Sequence, residues 1–160
     1  MQTSHKHQPL RKGGIAQAYK ALERYCARRE RAPSEVRRQI AQWELSETEA
    51  RALWEHLRRE RFVDEQRYAR AFAADKLRLE GWGRLRIRQA LRQKGIAPHI
   101  IEQTLSALDP EEYMTVLHRV AQQKRRQYAN HPHARQKVQA ALLRAGFEPE
   151  FIEMLDKSET

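Results

Sequence analysis

The sequence predicts an all-α protein, an elongated tandem array of three three-helix repeats. Gly and Pro number only six each, and β-branched residues are scarce beside Ala, Leu, Arg, Glu and Gln, so helix propensity prevails along the chain. Apolar residues recur at helical spacing in segment after segment. The segments also share a register, with Glu44, Gly95 and Gly146 standing at equivalent turns 51 residues apart.

Residues 1–14, "MQTSHKHQPLRKGG", read as a flexible basic tail. The first repeat, 15–63, opens with a helix whose apolar face is Ala18, Ala21, Leu22 and Tyr25. Pro33 breaks it, and Ser34 is the expected N-cap of a second helix with Val36, Ile40 and Trp43 on one face. Ser46 with Glu49 three residues on has the capping-box spacing for a third, which buries Ala50, Leu53, Trp54 and Leu57. The second repeat, 64–108, starts at an Asp64 cap and carries Tyr68, Ala69, Phe72, Ala73 and Leu77 inward. Gly81 and Gly83 interrupt it, "RLRIRQALRQK" follows, and Gly95 ends that helix as a C-cap glycine. Pro98 sits early in the next helix, where its missing donor costs little. The third repeat, 109–160, runs "LHRVAQQKRRQY", "ARQKVQAALLRAG" and "EPEFIEML".

The 51-residue offset aligns Val36, Ile87 and Val138, then Ile40, Leu91 and Leu142, then Leu45, Ile96 and Phe147, then Ala50, Ile101 and Ile152. Helical periodicity alone explains the spacing within a helix but not four apolar columns sharing one turn. Each repeat is too small to bury much surface, so neighbours are expected to share interfaces.

Lys and Arg total 31 against 21 Asp and Glu, a net charge of +10, and the pI is about 10.2. Such a field favours polyanions, above all nucleic acid. The charge is also segregated. From Lys76 to Lys94 seven basic residues face one acid, Glu80, and from Arg119 to Arg144 seven face none. A solubilising helix normally mixes signs as i,i+4 pairs. Acids gather instead at Glu148, Glu150, Glu153, Asp156 and Glu159. The cationic candidates are Arg84, Arg86, Arg88, Arg92 and Lys94, with Lys124, Arg125, Arg126 and Lys137 as a second block. Arg and Lys on one strip would meet phosphates, and Trp82, Tyr128 or Trp43 are the candidates for stacking on bases, with the alternative for Trp82 that it packs between helices.

Catalysis finds no support in the sequence. His131 and His133 in "NHPH" lack Cys or carboxylates at metal-ligand spacing, so no metal or other cofactor is expected. "GWG" is not a phosphate-binding loop, and no Ser, His and Asp set suggests a triad. The lone Cys26 reads as a small apolar helix residue of a reducing, cytoplasmic compartment. No apolar run has the length of a membrane span.

"RFVDEQRYARAF" followed by "GWGRLRIRQALRQKGI" resembles the centre of the RecX regulatory proteins, bacterial modulators of the RecA recombinase. "ALERYCARRERAPSEVRRQI" and "ALLRAGFEPEFI" are similar to the flanking repeats of that family, and the resemblance runs from about Ile15 to Leu155. Two departures stand out: Trp82-Gly83 leads into Arg84 where the family often has Pro, and Glu44 replaces a turn glycine. The resemblance implies a tandem array of three-helix repeats lying in the groove of the RecA–single-stranded DNA filament; the chain is expected to act as a monomer and to bind duplex DNA only weakly. There it would obstruct filament growth and suppress ATP hydrolysis, strand exchange and cleavage of the SOS repressor. A helix-turn-helix regulator of duplex DNA is the main alternative, through "IRQALRQKGIAPHIIEQTL". The helix after that turn carries no Arg or Lys, where a recognition helix would. A helical scaffold that binds protein alone is the other.

Overall fold

The structure, a computed structural model, describes residues 13–158. Among them are nine helices and no strand: α1 (Ile15–Arg28), α2 (Pro33–Ala41), α3 (Glu47–Arg59), α4 (Glu65–Glu80), α5 (Arg84–Gln93), α6 (Pro98–Ser106), α7 (Pro110–Gln127), α8 (Ala134–Arg144) and α9 (Pro149–Ser158). The expected all-α class holds. The basic tail falls almost wholly outside the described residues. No described helix is long and apolar enough to cross a membrane.

The helices gather into two compact units, one ending at Glu65 and the other beginning at Gln66. In the first, Ala18, Leu22, Val36, Ile40, Leu53, Leu57 and Val63 form the core together with Cys26, which is buried as a small apolar residue. Trp43 and Trp54 pack at its edge. In the second, α4 supplies Ala69, Ala73 and Leu77, α5 Ile87 and Leu91, α7 Tyr113, Leu117 and Ala121, and α8 Leu142. Phe147, between α8 and α9, is fully buried beside Tyr113.

Local chemistry sets the boundaries. Ser46 Oγ accepts from the Glu49 N–H (3.1 Å), and the Glu49 carboxylate accepts from the Ser46 N–H (3.3 Å), as the spacing predicts. Asp109 caps α7 by accepting from the Glu111 N–H at 3.1 Å. The expectation of an N-cap at Ser34 is corrected. Pro33 takes the first helical position of α2, so the cap falls on Ala32, whose N–H donates to the Glu35 carboxylate at 2.8 Å. Ser34 lies inside the first turn.

The three turns aligned by sequence adopt the same left-handed backbone, with φ of 51° at Glu44, 80° at Gly95 and 97° at Gly146. Gly95 and Gly146 each close a Schellman turn. Ile96 N–H reaches the Leu91 carbonyl (3.2 Å) and Phe147 N–H the Leu142 carbonyl (3.1 Å). Glu44 holds this conformation with a side chain that disfavours it, at a cost of about 1–2 kcal/mol.

Gly83 explains the "GWG" break. Its N–H donates to the Ala145 carbonyl (2.8 Å), and Leu85 N–H donates to the Gly146 carbonyl (2.9 Å). A Cβ on Gly83 would stand 2.4 Å from the Gly146 carbonyl atoms, so only glycine lets these two backbones meet. The α4–α5 turn is thereby joined to the α8–α9 turn inside the second unit.

Candidate polyanion-binding groove

That junction also fixes where the cations lie. Arg84, the first residue of α5, turns inward: its guanidinium lies 3.8 Å from the Tyr113 ring and donates to the Glu148 carboxylate at 2.9 Å. Arg84 N–H donates to the Tyr113 hydroxyl (3.0 Å), which donates in turn to the other Glu148 oxygen. Burial first, then the bond to Glu148, pushes the Tyr113 phenol above its ordinary range. Arg88 grips Glu102 with two nitrogens (2.8 and 3.2 Å). This hydrogen bonding lowers the Glu102 carboxyl and raises the guanidinium. Arg84 and Arg88 are therefore neutralised by carboxylates of their own unit, and we leave both out of the binding surface proposed below.

The remaining candidates divide. Arg86 is exposed and lies 4.0 Å from the Trp82 ring. Lys76 also approaches that ring, at 4.6 Å, and Phe72 meets it edge-on. Trp82 is half-buried with cations against it, so a base reaching the ring would compete with them. Arg92 is exposed on α5 near Glu102, and Lys94 is the half-buried C-cap of that helix. Lys124, Arg125 and Arg126 occupy the last turn of α7, where cations complement the helix dipole. Lys137 is exposed in the first turn of α8.

One groove of about 570 Å³ collects part of this set. Arg78, Leu79, Glu80, Gly81, Trp82 and Arg86 form one wall; Arg119, Val120, Gln123 and Lys124 of α7, with Ala141, Arg144 and Ala145 of α7's neighbour α8, form the other. Its single acid, Glu80, accepts from Lys76 at 2.7 Å. Arg78 is held by Glu112 through two nitrogens, which lowers the Glu112 carboxyl. Arg119 donates to the Arg78 carbonyl at 2.9 Å, keeping its charge uncompensated. Arg86, Arg119, Lys124 and Arg144 have no carboxylate within ion-pair distance among the described residues. Of the candidates read from sequence, the groove brings together Trp82, Arg86 and Lys124 and leaves Arg92, Lys94, Arg125, Arg126 and Lys137 outside its lining. Arg119 and Arg144, the ends of the acid-free block, were the residues not singled out.

Fold and groove together define a class: a helical-repeat protein with cations converging on one cleft. The family model described as "RecX, second three-helix domain" matches residues 64–105. A "Regulatory protein RecX" of Limosilactobacillus reuteri is 29% identical over 88% of this chain and 54% of its own length. One from Levilactobacillus brevis is 30% identical over 84% and 51%. The chain thus spans about half the length of these curated relatives. Among solved structures, one titled "Crystal structure of regulatory protein RecX" superposes with a TM-score of 0.81 at 28% identity, over 89% of this chain and 71% of that one. RecX from Lactobacillus salivarius, at 19% identity over 90% and 95%, also gives 0.81 and shares the fold. The chain belongs to the RecX family of regulatory proteins.

Proposed function

We propose that this chain binds the RecA–single-stranded DNA filament and inhibits its ATPase, strand-exchange and SOS co-protease activities, acting in the cytoplasm as a monomer. The reading is supported most directly by the groove of the second unit, where Arg86, Arg119, Lys124 and Arg144 lie without carboxylate partners. Phosphates entering there release counterions, so binding weakens steeply with salt. Lying in the filament groove, or blocking the growing end, would prevent further protomers from adding. Arg92, Lys94, Arg125, Arg126 and Lys137 are proposed to widen the cationic field around the groove rather than to line it.

The test is the DNA-dependent ATPase of RecA on preformed filaments, with salt titrated. Arg86→Glu with Arg144→Glu should abolish inhibition while helical content stays unchanged. Arg88→Gln, which removes a guanidinium already bound to Glu102, should inhibit as the parent does. Full inhibition by the folded double variant would defeat this reading. A sequence-specific footprint on duplex DNA would favour a duplex regulator instead.

A further inference from the structure

The first unit contains its own cleft, about 300 Å³, between α1 and α2. That is the lower end of the range for small-ligand sites. Arg24, Tyr25 and Arg28 of α1, the two arginines one turn apart, line it together with Gln39 of α2, Gln42, which is the C-cap of that helix, and Trp43 just beyond. No carboxylate lines it. Both arginines are exposed and have no ion-pair partner among the described residues.

The repeat register makes this cleft the counterpart of the groove in the second unit. Gln39, Gln42 and Trp43 precede Ala141, Arg144 and Ala145 by 102 residues, two repeat lengths, and those three form the α8 part of that groove. The chemistry differs between the copies. An aromatic ring replaces Ala145, and amides replace Ala141 and Arg144. Arg31 already lies 3.8 Å over the Tyr25 ring. Trp43, half-buried, has no cation or ring against it among the described residues.

We propose that this cleft holds one nucleotide of a nucleic-acid single strand, the base on the Trp43 indole, its edge at the Gln39 and Gln42 amides, and its phosphate at Arg24 and Arg28. The proposal rests on the polyanion reading of the chain and adds base contact to it. Cation and indole together suit a nucleotide better than an acidic peptide, because every base offers a π-face and a carboxylate does not.

The experiment uses the full chain with Trp54→Phe and Trp82→Phe, leaving Trp43 as its one indole. Oligothymidylate should quench Trp43, whereas inorganic polyphosphate, a base-free polyanion, should bind without quenching. Trp43→Ala should weaken oligothymidylate about ten-fold and leave polyphosphate unchanged. Arg24→Gln with Arg28→Gln, at exposed positions that put folding at little risk, should weaken both. Oligothymidylate binding without quenching, or equal quenching by polyphosphate, would overturn the proposal. Equal quenching by polyglutamate would also overturn it and assign the cleft to an acidic protein. Either failure with RecA inhibition intact would leave the groove reading standing, since Arg86 and Arg144 are tested there by a different readout.

Discussion

Gly83→Ala should destabilise the second unit severely, for a reason that is steric and not conformational. The φ of Gly83 is −84°, which any residue adopts. Its new Cβ, however, would lie 2.4 Å from the Gly146 carbonyl carbon and oxygen and 2.5 Å from the Phe147 nitrogen. These are backbone atoms and cannot rotate away. Overpacking of this kind costs about 1–3 kcal/mol. Relief by separation stretches the 2.8 Å and 2.9 Å bonds from Gly83 and Leu85, each worth about 0.5–1.5 kcal/mol net. The expected loss is thus about 3 kcal/mol. Trp82 is the indole of this unit, so urea unfolding followed by its fluorescence in a Trp43→Phe, Trp54→Phe background reads the effect. With a slope of about 1–3 kcal/mol per molar urea, the midpoint should fall by roughly 1–3 M. Gly95→Ala is the control: nothing lies within 4 Å of its Cβ, and only its φ of 80° opposes the change, costing about 1–2 kcal/mol. A Gly83→Ala midpoint within error of the parent would refute the proposed backbone approach.

Two smaller perturbations follow from the same geometry. Glu44→Gly should stabilise the first unit by about 1 kcal/mol, read as a higher melting temperature, because glycine removes the left-handed strain at φ 51°. Glu102 and Glu112, whose folded pKa values are lowered by Arg88 and Arg78, contribute stability that is complete above the ordinary Glu value of 4.5 and fades as pH falls through the lowered values. Acid titration of the second unit should show this loss, and Arg78→Gln with Arg88→Gln should flatten it.

What could be read from the chain was mostly local. The Ser46–Glu49 box, Pro98 and the turn glycines act within a few residues, so their spacing carries the signal. Glu44 shows the register exceeding composition: it lacks the glycine yet adopts the same turn, because the apolar columns on either side demand it. Ser34 was misplaced since two adjacent signals competed and Pro33 fixed the first turn. The cations were harder. A helical wheel sets Arg88 outside the apolar face of α5 but knows nothing of Glu102, 14 residues on, and it puts Arg84 beside Leu91 without showing that Glu148, 64 residues on, awaits its charge. Glu148 read as part of an acidic terminus, whereas tertiary packing brings it to Arg84. Arg119 and Arg144 acquire their setting only when α7 and α8 pack beside the α4–α5 turn.

The weld at Gly83 and Glu148 is where stability and the proposed binding would meet. One repeat earlier, Ala32, Pro33, Phe62 and Ala97 stand where Gly83, Arg84, Tyr113 and Glu148 do, so these residue types do not recur there. The groove takes one wall from α4 and α5 and the other from α7 and α8. Its width therefore depends on the weld, although Glu148 does not line it. Glu148→Gln removes the 2.9 Å ion pair of Arg84, with both side chains about one-fifth exposed, and should cost about 2 kcal/mol. Simple electrostatics predicts tighter polyanion binding by this variant, since a negative charge is gone. If the weld sets the spacing of the cations, the folded variant should bind a single strand several-fold more weakly at fixed salt. Fluorescence anisotropy with a labelled oligonucleotide decides between the two signs, and tighter binding would show that net charge governs affinity.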